Sequence, residues 1–180
     1  MSGAEWGPTR TKTVTWHDPA ISAEAVFGLS GIEFLRAIRD GKLPPPPIAA
    51  LFGLRMREIE PGRVVFECEP DESSYNPLGI VHGGLACTLA DTVAGCAVQT
   101  TLAAGVTFTS IDLNVSYLRP VTAATGLLRA TGQVVKPGRR VAYSTAEIVD
   151  GAGKLVAAAT SSCLVMDLPP RPPTAGDAHR

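Results

Sequence analysis

Between Asn76 and Val98 the sequence carries one carboxylate, Asp91, in a run that is otherwise apolar, small or hydroxylated. A carboxylate can attack an acyl carbon or act as general base for water. Eight residues upstream lies His82-Gly83-Gly84, where a loop meets the start of a helix. The first N–H groups of a helix have no intrahelical partner, and the helix dipole is positive there. Glycine lets a ligand approach this backbone closely, so a carbonyl oxygen could be polarised as in an oxyanion hole. Each feature has a plainer reading. The glycines could simply make a tight turn, and Asp91 could be a hydrogen-bonded structural carboxylate. Geometry adds a condition. Eight helical residues separate the groups by about 12 Å along the axis, so within one chain they cannot act on the same atom. Either they are unrelated, or they meet across the two-fold axis of a dimer.

The elements that must position these groups follow from periodicity. The apolar run predicts a helix over about Gly83–Ala103, studded with small residues that allow close packing. Upstream, 54–60 and 63–70 read as strands joined at Pro61-Gly62. Downstream, four strand-like runs cover 107–118, 125–135, 140–150 and 154–166, with turns at Arg119-Pro120, Lys136-Pro137-Gly138 and Asp150–Gly153. One long helix among strands joined mostly by hairpins implies an α+β fold, an antiparallel sheet with the helix on one face. In 110–115, Ile111, Leu113 and Val115 alternate with Ser110, Asp112 and Asn114, predicting an apolar face on the helix and a polar face opposite.

Residues 1–48 precede this domain. An irregular arm is predicted over 1–28. A short amphipathic helix follows, with Ser30 and Glu33 as a capping box, Ile32, Leu35 and Ile38 on one face and Gly41 at its end. Leu43–Pro47 reads as a stiff extended spacer. The domain is expected over 49–167, and the Pro-rich tail 168–180 is expected to be disordered.

The chain has 180 residues and a net charge of −1, which gives no reason to expect nucleic acid or an anionic membrane as a partner. A membrane span over 85–106 is disfavoured by the central Asp91, Gln99 and several threonines. Cys68, Cys87, Cys96 and Cys163 form no metal-ligand spacing and read as reduced thiols of a cytoplasmic protein, with no metal or cofactor expected. No apolar stretch at the N-terminus reads as a signal peptide.

The pattern Asn76-x5-His82-Gly83-Gly84-x6-Asp91 resembles the signature of hotdog-fold acyl-CoA thioesterases, most nearly the phenylacetate-pathway (PaaI-type) and 4-hydroxybenzoyl-CoA thioesterase group. The run from Thr109 to Pro120 resembles that family's next strand, and 134–160 its final hairpins. The resemblance covers about 50–166 and leaves the N-terminal arm and helix outside. It implies a curved antiparallel sheet wrapped round the central helix, and a homo-oligomer, a dimer or dimer of dimers, with sites spanning two subunits. It further implies that the Gly83 N–H polarises the thioester carbonyl while Asp91 of the other chain serves as nucleophile or general base. Asn76 would orient water or thioester, His82 would hold the turn and touch the substrate edge, and Ser110 would help to place water. Some relatives carry Glu where this chain has Asp91, which leaves nucleophile and base both open. Gly84 and Asp112 are further candidates beside the substrate, the latter with an open role. Coenzyme A is polyanionic, and Arg119-Pro120 with Lys136-Pro137-Gly138-Arg139-Arg140 match family segments that run along it.

Two other functions compete. A hydratase or dehydratase on the same fold would need a His–carboxylate acid/base pair, yet the other histidines, His17 and His179, lie in the tails. A non-catalytic acyl-CoA-binding module would not need Asp91. The acyl group is not fixed by the sequence.

Overall fold

The computed structural model describes residues 6–168. Of the tail expected to be disordered, 168–180, Leu168 is described, its N–H donating to Gly105 O, and residues 169–180 lie outside the described residues. Three short helices, α1 (Ala20–Ala25), α2 (Gly31–Arg39) and α3 (Pro47–Phe52), lead into strands β1 (Arg55–Glu60) and β2 (Arg63–Cys68). The central helix α4 (Gly83–Gln99) follows, then β3 (Val106–Tyr117), β4 (Leu128–Lys136), β5 (Val141–Val149) and β6 (Leu155–Asp167). All six strands form one antiparallel sheet in the order β1-β2-β4-β5-β6-β3.

That order corrects one expectation. The Arg119-Pro120 connection is a crossover: β3 pairs with β6 at the far edge, and the chain then passes the start of α4 to enter the sheet beside β2. Val81 N–H donates to Val121 O and the Ala123 N–H to the Tyr75 hydroxyl, so this connection is tied to the loop that launches α4. The sheet wraps the helix, and a buried cluster including Val64, Phe66, Leu89, Val93, Leu128 and Ile148 fills the space between. At Gly132 the strand β4 runs so close to α4 that a Cβ would lie 1.9 Å from the Val93 carbonyl oxygen. Only glycine fits this crossing.

Helix α4 stops at Gln99, four residues short of the expected end. Thr100 and Thr101 hydroxyls donate to Ala97 O and Val98 O, the Thr100 and Leu102 N–H groups donate to Cys96 O and Gln99 O, and just beyond the helix the Gly31 N–H donates to Leu102 O. The last carbonyls are therefore satisfied without further helix. The N-terminal segment is part of the same body. The capping box of α2 is present, Leu35 and Ile38 are buried, and a Cβ at Gly31 would sit 1.8 Å from Gln99 O. Two elements go beyond the sequence reading. Part of the arm forms α1. The spacer ends at Pro47, which opens α3 at its first position, where proline is pre-shaped for a helix start. Residues 10–12 are strapped to the loop after β2 by ion pairs of Arg10 with Glu72 and Lys12 with Asp71.

Among the described residues no helix is long and apolar enough to cross a membrane.

Candidate active site

His82 caps α4. Its Nδ1 accepts the Gly84 N–H at 2.8 Å, and its carbonyl takes the Leu85 N–H. With Nδ1 accepting, Nε2 is the ring nitrogen left to donate, and His82 is exposed. The Gly83 N–H donates to no group among the described residues. Asn76 turns the loop below. Its Oδ1 accepts the Leu78 N–H at 2.9 Å and, more weakly, the Ile80 N–H at 3.4 Å. That leaves the Asn76 amide as a donor. Asn76, His82, Gly83 and Gly84 share a cleft of about 520 Å³ with Arg119 and Pro120. Arg119 is exposed there, its guanidinium donating to Leu155 O.

Tyr117, which the sequence reading missed, forms another wall. Its ring lies 3.0 Å from where a Gly83 Cβ would be, and its hydroxyl is 2.8 Å from Cys87 Sγ and 3.4 Å from Gly83 O. The signal was present: Tyr117 continues the parity of Leu113 and Val115, the helix-facing residues of β3.

Asp91 does not line this cleft. It is exposed on the open side of α4 in the single chain, although the run around it reads as buried. Its Oδ1 accepts the Ser110 hydroxyl at 2.8 Å. Ser110 therefore faces the helix, not the polar side of β3. The cause is a β-bulge at Ile111: Ser110 pairs with Cys163 and Asp112 with Ser162, and the extra residue reverses the parity of everything after it. Asp112 and Asn114 remain exposed. Asp112 holds the bulge, its Oδ1 accepting the Ser162 N–H at 3.0 Å and its carbonyl accepting the Ser161 hydroxyl. Near Asp91, burial chiefly, with the carboxylate's charge added, pushes the Cys96 thiol up to about 12, and burial likewise raises Cys163.

Pro137, Gly138, Arg139 and Arg140 border a shallow depression of about 840 Å³ beside Thr101 and Leu102, beyond the C-terminal end of α4. Lys136, Arg139 and Arg140 are exposed and have no ion-pair partner among the described residues. Within one chain, then, the sequence candidates fall into four places: Asn76, His82, Gly83, Gly84, Arg119 and Pro120 at the start of α4; Asp91 with Ser110 at its middle; the basic turn at its end; and Asp112 at the bulge of β3. Among the described residues no cluster of metal-ligating side chains occurs.

A sheet curled round one long helix, with a glycine-led helix start and a carboxylate on the open helix face, defines a hotdog-fold protein. A model of the thioesterase superfamily matches residues 78–157. Human acyl-coenzyme A thioesterase 13 is 33% identical over 98 residues, which are 54% of this chain and 69% of that protein. The crystal structure of a phenylacetic acid degradation-related protein from Ralstonia eutropha superimposes with a TM-score of 0.67 at 32% identity, over 72% of this chain and 97% of that one. A Streptococcus mutans protein solved with acetyl CoA gives a TM-score of 0.58 at 26% identity, over 63% and 89% of the two chains. The chain belongs to the thioesterase superfamily and is a thioester hydrolase.

Proposed function

We propose that the protein hydrolyses acyl-CoA thioesters to free acid and coenzyme A, at sites each built from two subunits. The observation that carries this reading is the separation of the two halves: the unpartnered Gly83 N–H and the Asp91 carboxylate lie on one helix, about 12 Å apart along its axis. Acyl transfer needs both at one carbonyl. Strand β3 offers the means. It is a twelve-residue edge strand with no partner on its outer side among the described residues, and Ile111 and Tyr117 are exposed along it. A long unpaired edge is a template for another strand. Pairing of β3 with its copy about a two-fold axis runs the two α4 helices antiparallel and carries Asp91 of one chain toward Gly83 of the other.

In such a site the thioester carbonyl oxygen accepts the Gly83 N–H at the positive end of α4. Asp91 of the opposite chain, held by Ser110, attacks the acyl carbon or deprotonates the attacking water. Asn76 and His82 Nε2 donate to the water or to the substrate edge. The same pairing unites Arg119 of one chain with the Lys136–Arg140 turn of the other, giving a basic mouth for a polyanionic carrier. The relatives' names and the acetyl CoA bound to one of them support coenzyme A as that carrier.

The test is free-thiol release from a panel of acyl-CoA substrates, with hydration of crotonyl-CoA as control. Thiol release without hydration is expected. Hydration without release, or binding without turnover, would refute the reading.

A further inference from the structure

A second pocket, partly open to solvent, lies along α4 beyond Thr92. The residues before the domain and the open face of α4 surround a cavity of about 530 Å³. Its walls come from α2 (Phe34, Ile38), the start of α3 (Ala49), β1 (Met56), α4 (Cys96) and β3 (Phe108). Volumes of this size hold small organic groups. The rim carries Arg39, Arg55 and Arg57, of which Arg39 and Arg57 are ion-paired with Asp40 and Glu67.

Asp91 and Ser110 do not line this cavity; Thr92 and Phe108, their neighbours on α4 and β3, do. Phe108 is two residues before Ser110 on the same helix-facing side of β3, and its ring covers Gly95, one helical turn after Asp91. A Cβ at Gly95 would lie 2.7 Å from that ring. Thr92, next to Asp91, opens the lining on α4, and Gln99 ends it, a span of about 10 Å along the axis. The cap is fixed in place by the buried Leu35 and Ile38, by the Gly31–Gln99 contact and by Arg36 donating to Ile59 O. It is a built wall and lies outside the part of the chain that the thioesterase model matches.

We propose that this cavity receives the acyl group of the thioester, and that the cap formed by α2 and α3 sets the acyl size. The inference rests on the acyl-CoA hydrolysis proposed above. With the carbonyl held at Asp91, the carrier leaves through the cleft at the partner's helix start, and the acyl group extends along α4 from Thr92 toward Gln99. The apolar lining selects an apolar acyl group: a medium aliphatic chain or a single aromatic ring. Phe34 and Ala49, far from the reacting atoms, determine how large it can be.

Two variants test this. Ala49→Phe fills the cavity and Phe34→Ala enlarges it; should Ala49→Phe fail to unfold cooperatively on heating, Phe34→Trp fills the same space. Each is assayed as intact oligomer for kcat/KM against acetyl-, hexanoyl-, decanoyl- and phenylacetyl-CoA. Filling should lower kcat/KM for the best large substrate by at least about tenfold, while acetyl-CoA stays within about twofold, as expected for a pocket-size effect. Enlarging should move the optimum to larger acyl groups. Folded variants whose profiles superimpose on the wild type would overturn the proposal while leaving the hydrolase reading intact. Failure of the wild type to hydrolyse any member of the panel would overturn that reading and the proposal together.

Discussion

Ser110 and Asp91, nineteen residues apart in sequence, are joined by a 2.8 Å hydrogen bond from the Ser110 hydroxyl to Asp91 Oδ1. The bond exists because the bulge at Ile111 turns Ser110 toward α4. A hydroxyl donating to a carboxylate fixes one oxygen and leaves the other free to act. Ser110→Ala should therefore lower kcat by about tenfold with KM little changed, the scale of one charge-assisted hydrogen bond. Steady-state kinetics checks this; a tenfold rise in KM with kcat unchanged would make Ser110 a binding group.

Asp91 itself should matter more. Asp91→Asn nearly preserves shape and Asp91→Ala removes the carboxylate. Both should lower kcat by at least about 10²-fold, as for loss of an acid/base group, with the thermal transition retained. Asn76→Ala should cost less, since its amide orients and breaks no bond. Full turnover in Asp91→Ala would return the residue to a structural role.

Gly31 tests the union of cap and domain. A Cβ there would lie 1.8 Å from the Gln99 carbonyl oxygen, a backbone atom with no easy way to yield. Gly31→Ala should cost about 1–3 kcal/mol, the usual range for overpacking. Denaturant unfolding measures it, and an unchanged midpoint would mean that α2 is loosely held.

The arm has its own pH dependence. Hydrogen bonds from Lys12 and Ser73 hold the Asp71 carboxyl at about 2, below its ordinary value. A depressed carboxylate contributes stability that is present above the unfolded value, about 3.9, and lost as pH falls through about 2. Both partners are largely exposed, so the effect on global stability is small. Locally, the arm should loosen between about pH 4 and pH 2. Trp6 and Trp16, the chain's two tryptophans, both lie in it and report the change by fluorescence. The Asp71→Asn variant should show a smaller transition, since only the Arg10–Glu72 ion pair is then left to break.

Much of this architecture is readable in the residues. The Ser30–Glu33 box, the start of α4 at His82-Gly83-Gly84 and all six strands follow from local rules of capping and alternation. What escapes is non-local or silent in the pattern. A bulge adds one residue without changing composition, so alternation places Ser110 with Asp112, when Ser110 belongs with Phe108 over the helix. Hairpin logic reads β3 to β4 as a tight turn, because sequence does not reveal that β3 prefers the distant β6. Pro47 reads as the end of a spacer but serves as the first residue of α3. Asp91 reads as buried because its neighbours are apolar, yet in one chain it faces outward. The cavity under the cap needs α2, α3, β1, α4 and β3 together, and no single segment announces it.

In the function proposed above, Gly83 and Asp91 act together only across two subunits. The direct measurement mixes two inactive variants, Asp91→Ala and the paired Asn76→Ala/Gly83→Ala, under conditions of demonstrated subunit exchange. A heterodimer then holds one site with both lesions and one with neither. Activity should return, approaching about half of the wild-type rate per heterodimer by site counting on a two-fold dimer. Verified exchange with no recovered activity would mean that both lesions fall in the same site, and the shared-site account would be wrong.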